Sequence, residues 1–165
     1  MHRRLDSDTL GDHLDRLYRA AWALCGSRED AEDLVQETYA RVLARPRFLR
    51  NDDDLGYLLR VLHNTFFNVK RTERRRPRTD PLPEGADFVE TRGSTRPEQV
   101  LEAKEVYEAV AALPVEFREV VVAVDVVGLS YGEAAKALRI PQGTVMSRLY
   151  RGRQQVARRF DAAPG

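Results

Sequence analysis

Leu129-Ser130-Tyr131-Gly132-Glu133-Ala134-Ala135-Lys136-Ala137-Leu138-Arg139-Ile140-Pro141-Gln142-Gly143-Thr144-Val145-Met146-Ser147-Arg148-Leu149-Tyr150-Arg151-Gly152-Arg153 reads as two helices around a break. Ser130 and Glu133 have the S-x-x-E spacing of a capping box, and Ala134, Ala135 and Leu138 then share one apolar face. Arg139-Ile140-Pro141-Gln142-Gly143 ends that helix, with Ile140 expected to be buried. Thr144 stands near the start of a second helix, whose Val145 and Leu149 point back at the first. The pattern is a helix-turn-helix. Its second helix leaves Thr144, Met146, Ser147, Arg148, Tyr150, Arg151 and Arg153 off the apolar stripe. Such a helix fits the major groove of DNA, where Arg reads guanine edges or holds phosphates. An αα-hairpin with merely solvated arginines has the same spacing. The basic residues, however, gather on the second helix, while the first carries Glu133 and only Lys136, which favours DNA.

Composition narrows the rest. A chain of 165 residues, 42% hydrophobic and 32% charged, is an ordinary soluble mixture with room for one domain or two small ones. No apolar run approaches the roughly 20 residues of a membrane span, and Met1-His2-Arg3-Arg4 leads into acidic residues rather than a signal-peptide core. A cytoplasmic location without membrane insertion is expected. Net charge is only +1, so nucleic-acid binding must come from segregated basic patches. The only lysines are Lys70, Lys104 and Lys136, so planar, bidentate Arg contacts dominate. Cys25 is the single cysteine and is expected to be a buried structural thiol at a helix end. His2, His13 and His63 lack metal-ligand spacing, so neither metal nor cofactor is expected.

The apolar period divides the chain into three parts. Leu10, Leu14, Leu17, Ala21 and Leu24 form a stripe ending at Gly26. A second helix starts at Ser27, with Ala31, Leu34, Val35, Tyr39, Val42 and Leu43 on its core edge until Pro46. Asn51-Asp52-Asp53-Asp54 offers N-caps to a third, with Leu55, Leu58, Leu59, Leu62, Phe66 and Val69 on one face, and Trp22 and Phe48 as further core. Between Arg74 and Pro97 the period vanishes and Pro and Gly accumulate, as in a flexible linker. Helical periodicity returns from Glu98. Val120-Val121-Val122-Ala123-Val124 resembles a strand, but without a second strand to pair with it reads as helix.

Residue chemistry suggests two more surfaces. On the second helix Asp33, Gln36 and Glu37 stand off the apolar face as an acidic, amide-bearing strip suited to a basic helical partner. The helix dipole accounts for Glu29, Asp30 and Glu32 in the first turn, but less well for Gln36 and Glu37. Around the polar side of the third helix lie Tyr57, Arg60, His63, Asn64, Phe67, Asn68 and Arg71, followed by Arg74. Aromatics interleaved with Arg and Asn suit single-stranded DNA, with rings stacking on bases and cations holding phosphates. Phe66 belongs to the core, and Tyr57 and Phe67 are divided between core and surface.

Asp30-Ala31-Glu32-Asp33-Leu34-Val35-Gln36-Glu37-Thr38-Tyr39, Tyr57-Leu58-Leu59-Arg60-Val61-Leu62-His63-Asn64-Thr65-Phe66-Phe67-Asn68 and the terminal Gly143-Thr144-Val145-x-Ser147-Arg148-Leu149 resemble extracytoplasmic-function (ECF) sigma factors of bacterial RNA polymerase. Order and separation match as well, over almost the whole chain. Asn64-Thr65-Phe66-Phe67-Asn68 is most similar to the actinobacterial branch controlled by thiol-stress anti-sigma factors. The resemblance implies an all-α protein with sigma domain 2 over residues 1–75, a linker over 76–97 and sigma domain 4 over 98–160. It implies docking of Asp33, Gln36 and Glu37, with Leu43 at the edge, on the β′ clamp helices of core RNA polymerase, further contact with the β flap, and an anti-sigma partner. By the same resemblance Tyr57, Arg60, His63, Asn64, Phe67, Asn68, Arg71 and Arg74 hold the melted minus-ten element, and the loop bearing Phe48, Asn51 and Asp52 captures an extruded base. The exposed side of the last helix would read the minus-thirty-five element. The acidic linker residues Asp80, Glu84, Asp87 and Glu90 would thread the polymerase cleft. Family members usually carry Lys or Arg at the position of Met146 and Ala at that of Gly152. Gly152 therefore forgoes about 1 kcal/mol of helix propensity relative to Ala.

Two other classes remain to be weighed. A stand-alone helix-turn-helix regulator would bind duplex DNA unaided, but has no use for a docking strip or a melting helix. An enzyme using Asp30, Asp33 and Glu37 as metal ligands lacks a Glu-x-x-His partner, a phosphate loop and a nucleophile arrangement. No catalytic residue is therefore assigned.

Overall fold

The computed structural model describes residues 2–4, 11–45, 48–50, 54–75 and 97–161, with side chains over 11–45, 54–69 and 103–161. Helix α1, Leu14–Cys25, buries Leu17, Ala20, Ala21, Ala23 and Leu24. It stops where the stripe stops. Gly26 takes the left-handed conformation at φ 80° and donates its N–H to Trp22 O. A side chain at Gly26 would also meet Ala111 Cβ at 3.0 Å, so glycine serves both the turn and a close helix approach.

Helix α2, Arg28–Ala44, is capped by Ser27, whose hydroxyl accepts from the Asp30 N–H. Its buried face is Ala31, Leu34, Val35, Thr38 and Val42, with the Thr38 hydroxyl satisfied by Leu34 O. Glu32 departs from the solvated first-turn role expected of it: it is buried and accepts from Arg28 Nε at 3.3 Å. Leu43, expected at the core edge, is 47% exposed.

Helix α3, Asp54–Arg75, buries Leu58, Leu59, Leu62 and Phe66. Cover over its stripe ends there, since Val69 is 39% exposed. Between α2 and α3, the strand β2, Phe48–Arg50, pairs antiparallel with β1, His2–Arg4, in the register His2 to Arg50. This three-residue ladder was not legible as strand.

Pro97 opens helix α4, Pro97–Ala111, at the position where its missing N–H costs nothing, rather than closing the linker. Helix α5, Val115–Val121, runs on into one π-helical turn, Val122–Val126, closed by the Val127 N–H on Val122 O. The valine run is thus helical as expected, and the widened turn presents Asp125 outward. Helix α6, Tyr131–Leu138, carries both hydrogen bonds of the Ser130–Glu133 capping box. Arg139 ends it at φ 58°, a left-handed residue that turns the chain into α7, Gln142–Asp161. Pro141 O accepts from the Thr144 and Val145 N–H groups, starting α7 two residues before Thr144. The helix-turn-helix is formed.

One core runs through both ends of the chain, joining Leu17, Leu24, Leu58 and Leu62 to Val120, Val122, Val145 and Leu149. Trp22 of α1 and Tyr107 of α4 meet at 5.4 Å between ring centroids. Arg118 of α5 donates to Leu24 O at 3.0 Å and Leu113 O at 2.9 Å, and lies over the Phe66 ring. Its cation sits at the carbonyl end of α1, where the helix dipole favours it.

Gly152 has a reason to be glycine. It is buried on α7, and a Cβ there would fall 2.7 Å from Val121 Cγ2 and 3.4 Å from Phe117 Cβ. Valine has little rotamer freedom to move away. Gly152→Ala is therefore expected to lower stability by about 1 to 2 kcal/mol, overpacking outweighing the gain in propensity. Urea unfolding checks it, and a stabilised variant would show that α5 and α7 can separate at little cost.

Candidate polymerase and promoter surfaces

The α2 strip stands clear of the core. Asp33, Gln36 and Glu37 are exposed on one side, and Leu43 extends the surface toward the helix end. Glu37 accepts from Arg41 Nε at 3.1 Å, an exposed i, i+4 pair contributing only tenths of a kcal/mol. Such a weak pair yields readily to a basic partner.

The polar side of α3 divides in two. Asn64 and Asn68 are exposed, while Tyr57, Arg60 and Phe67 are half-buried, with Phe67 edge-on to Phe66. His63 is buried. Neither ring nitrogen has a hydrogen-bond partner among the described residues, and Nδ1 lies 3.9 Å from Glu119 Oε1. Burial pushes the imidazole down to about 4, so it is neutral at pH 7. Arg60 is held by the other end of the chain: Nη2 donates to Lys136 O at 3.0 Å and Nε to Ala137 O at 3.4 Å. Arg60, His63, Asn64 and Phe67 line a pocket of about 120 Å³ whose far wall is Ala137, Leu138 and Arg139. The side chains of Arg71, Arg74 and Phe48 lie outside the described residues, as do Asn51 and Asp52 and the acidic linker positions.

On α7 the seven residues named from the sequence separate. Met146 at 51% and Tyr150 at 65% exposure, with exposed Ser147 and Arg151, form an open ridge. The Ser147 hydroxyl donates to Thr144 O, while Thr144 itself is half-buried. Arg148 is half-buried, and its charge lowers the Glu119 carboxyl, which burial raises. Arg153 grips Asp125 with two bonds, 3.0 Å from Nε and 2.7 Å from Nη2. Arg118, Glu119 and Asp125 had no signal in the sequence, since charged residues in a helical stretch read as solvated until the facing helix is placed.

Comparison with known proteins agrees with this architecture. Residues 10–76 match Sigma-70 region 2, and residues 103–156 match Sigma-70, region 4. The chain is 40% identical over 148 residues to the ECF RNA polymerase sigma factor SigE of Mycolicibacterium smegmatis, covering 87% of this chain and 57% of that protein. It is 33% identical over 147 residues to the ECF RNA polymerase sigma factor SigM of Mycobacterium tuberculosis, covering 88% and 72%. Two solved structures share the fold at 22% identity. CnrH in complex with the cytosolic domain of CnrY gives a TM-score of 0.65 over 95% of this chain. RpoE in complex with the anti-sigma factor NepR from Bartonella quintana gives 0.68 over 96%. Region 2 carried on α1 to α3, region 4 carried on α4 to α7 and the mycobacterial relatives together place this chain among the ECF sigma factors of the sigma-70 family.

Proposed function

We propose that this chain is an initiation factor that joins core RNA polymerase, recognises a promoter and directs its melting, without catalysing a bond change itself. The observation that carries the reading is the ordered pair of sigma regions, each with an exposed surface suited to its task. The α2 strip of Asp33, Gln36, Glu37 and Leu43 docks on the basic clamp helices of β′, and the C-terminal region meets the β flap. On α3, Tyr57, Arg60, Asn64, Phe67, Asn68, Arg71 and Arg74 take up the unpaired minus-ten strand, with Phe48, Asn51 and Asp52 around the captured base; His63, expected among them, is buried and does not face the strand. On α7, Thr144, Met146, Ser147, Arg148, Tyr150, Arg151 and Arg153 are the residues for the minus-thirty-five element. The bounds 1–75, 76–97 and 98–160 divide these tasks. The two structural neighbours, solved with CnrY and NepR, support an anti-sigma factor as a further partner. The Asn64 to Asn68 segment supports membership of the thiol-stress branch.

Replacing Asn64 and Asn68 by Ala should impair promoter opening about tenfold or more while leaving recruitment intact, because exposed amides read base edges and add no charge. Permanganate footprinting checks this, and a normal bubble in the double variant contradicts it. Binding of duplex promoter DNA without polymerase separates this reading from a stand-alone regulator. A regulator binds unaided, whereas the initiation factor needs the core enzyme.

Base reading and phosphate holding also separate on α7. Arg151 is exposed one turn from Ser147, so Arg151→Ala should lose about 1 to 3 kcal/mol of discrimination at one minus-thirty-five position. Arg153, drawn to Asp125, is a backbone contact at most, and its loss should weaken all sequences alike. Promoter competition assays with identical profiles for wild type and Arg151→Ala would remove Arg151 as a reader.

A further inference from the structure

Three features meet where the helix-turn-helix half lies against α3. Arg60 has both donating nitrogens turned onto the carbonyls of Lys136 and Ala137, the last turn of α6. That edge of the guanidinium is turned away from a phosphate on the strand-binding face. Asn64 and Phe67 share the pocket walled by Leu138 and Arg139, so one flank of the candidate strand-binding face is covered by the chain itself. The ridge of Met146, Ser147, Tyr150 and Arg151 on α7 stays open. Closure therefore masks one surface and spares the other.

The third feature is the group sealed inside. His63 is 4% exposed, and the walls around it come from the opposite half: Glu119 of α5 and the Ala137 to Arg139 turn. We infer that the packing of the helix-turn-helix half on α3 is a self-masking state that acid releases through His63. Charge on the ring has no good place in the closed state. Neither nitrogen is hydrogen-bonded among the described residues, and Arg60 and Arg139 line the same pocket. Among the described residues Glu119 is the carboxylate facing it, at 3.9 Å, with Arg118 beside it and Arg148 of α7 acting on it. Burial and Glu116 raise the Glu119 carboxyl, so it too begins to neutralise as pH falls, weakening that counter-charge. Burial is the cause that depresses the imidazole.

The sign follows from linkage. A ring at about 4 when closed and near 6.5 when open binds more protons open, so closure is complete above pH 7 and is lost as pH falls below about 6.5 toward 4. Between pH 7.5 and pH 5 the closed-to-open ratio should drop about thirtyfold.

Small-angle scattering and far-UV circular dichroism of the full chain, across pH 7.5 to 5, test the closure without DNA. Its failure is therefore distinct from failure of the promoter reading. Wild type should expand with its helix content kept, whereas His63→Phe and His63→Leu should stay compact throughout. Fluorescent single-stranded minus-ten oligonucleotide should gain affinity on acidification more in wild type than in either variant. Should neither variant fold, imidazole NMR of wild type decides. Ring protonation coincident with expansion upholds the inference. A chain that stays compact at pH 5, or variants that expand alongside wild type, overturns it.

Discussion

Reversing Asp33 and Glu37 together to Lys is expected to lower affinity for core RNA polymerase by at least about a hundredfold while leaving the melting curve almost unchanged. Both side chains are exposed on α2, away from its Ser27 cap and its buried face of Leu34, Val35, Thr38 and Val42. Exposed substitutions away from caps and core usually cost within about 0.5 kcal/mol, and the Glu37–Arg41 pair adds only tenths. Against a basic helical partner the same two changes replace attraction by repulsion, and like charges set face to face cost several kcal/mol. A pull-down with core enzyme reads the first effect and a thermal melt the second. Unchanged retention with a normal melt would remove the α2 strip from the docking surface.

Arg118→Ala is expected to cost about 3 kcal/mol of stability. The guanidinium donates to Leu24 O and Leu113 O and covers Phe66, and its burial lowers its own pKa. Each charge-assisted bond contributes about 1.5 to 3 kcal/mol, and removing the donor strands two carbonyls that the fold has partly withdrawn from water. Arg118→Lys should recover little, because one ammonium lacks the planar fork that reaches both oxygens. Urea unfolding of the three proteins measures the series. A midpoint for Arg118→Ala equal to wild type would mean that the Arg118 bonds do not hold the two halves together.

How far the sequence discloses this architecture depends on the range of the signal. Local signals translate directly. Ser130 with Glu133, Ser27 before Asp30 and Gly26 after Cys25 each place a helix end, because a cap is decided within four residues of chain. The stripe through Leu58, Leu62 and Phe66 gives the core face of α3 for the same reason. Signals set by tertiary packing do not translate. Glu32 is buried beside Arg28, and His63 is sealed against Glu119, although both occupy positions that helical periodicity assigns to solvent. Gly152 reads as a propensity defect until Val121 is found where its Cβ would be. Arg148, Arg151 and Arg153 all lie off the apolar stripe in the sequence. Only the facing α5 and its π turn, carrying Glu119 and Asp125, tell them apart. Of the candidate surfaces, the α2 strip and the α7 ridge were legible as exposed faces. The masking of Arg60 by α6 was not, because it is made by residues about seventy-six positions apart.

Run-off transcription with purified core RNA polymerase on a library of promoters tests the central claim most directly. Addition of this chain should yield transcripts from a subset of templates sharing one minus-thirty-five and one minus-ten pattern, with none from core enzyme alone. Transcription no different from core alone, together with unaided binding of the chain to duplex promoter DNA, would contradict it.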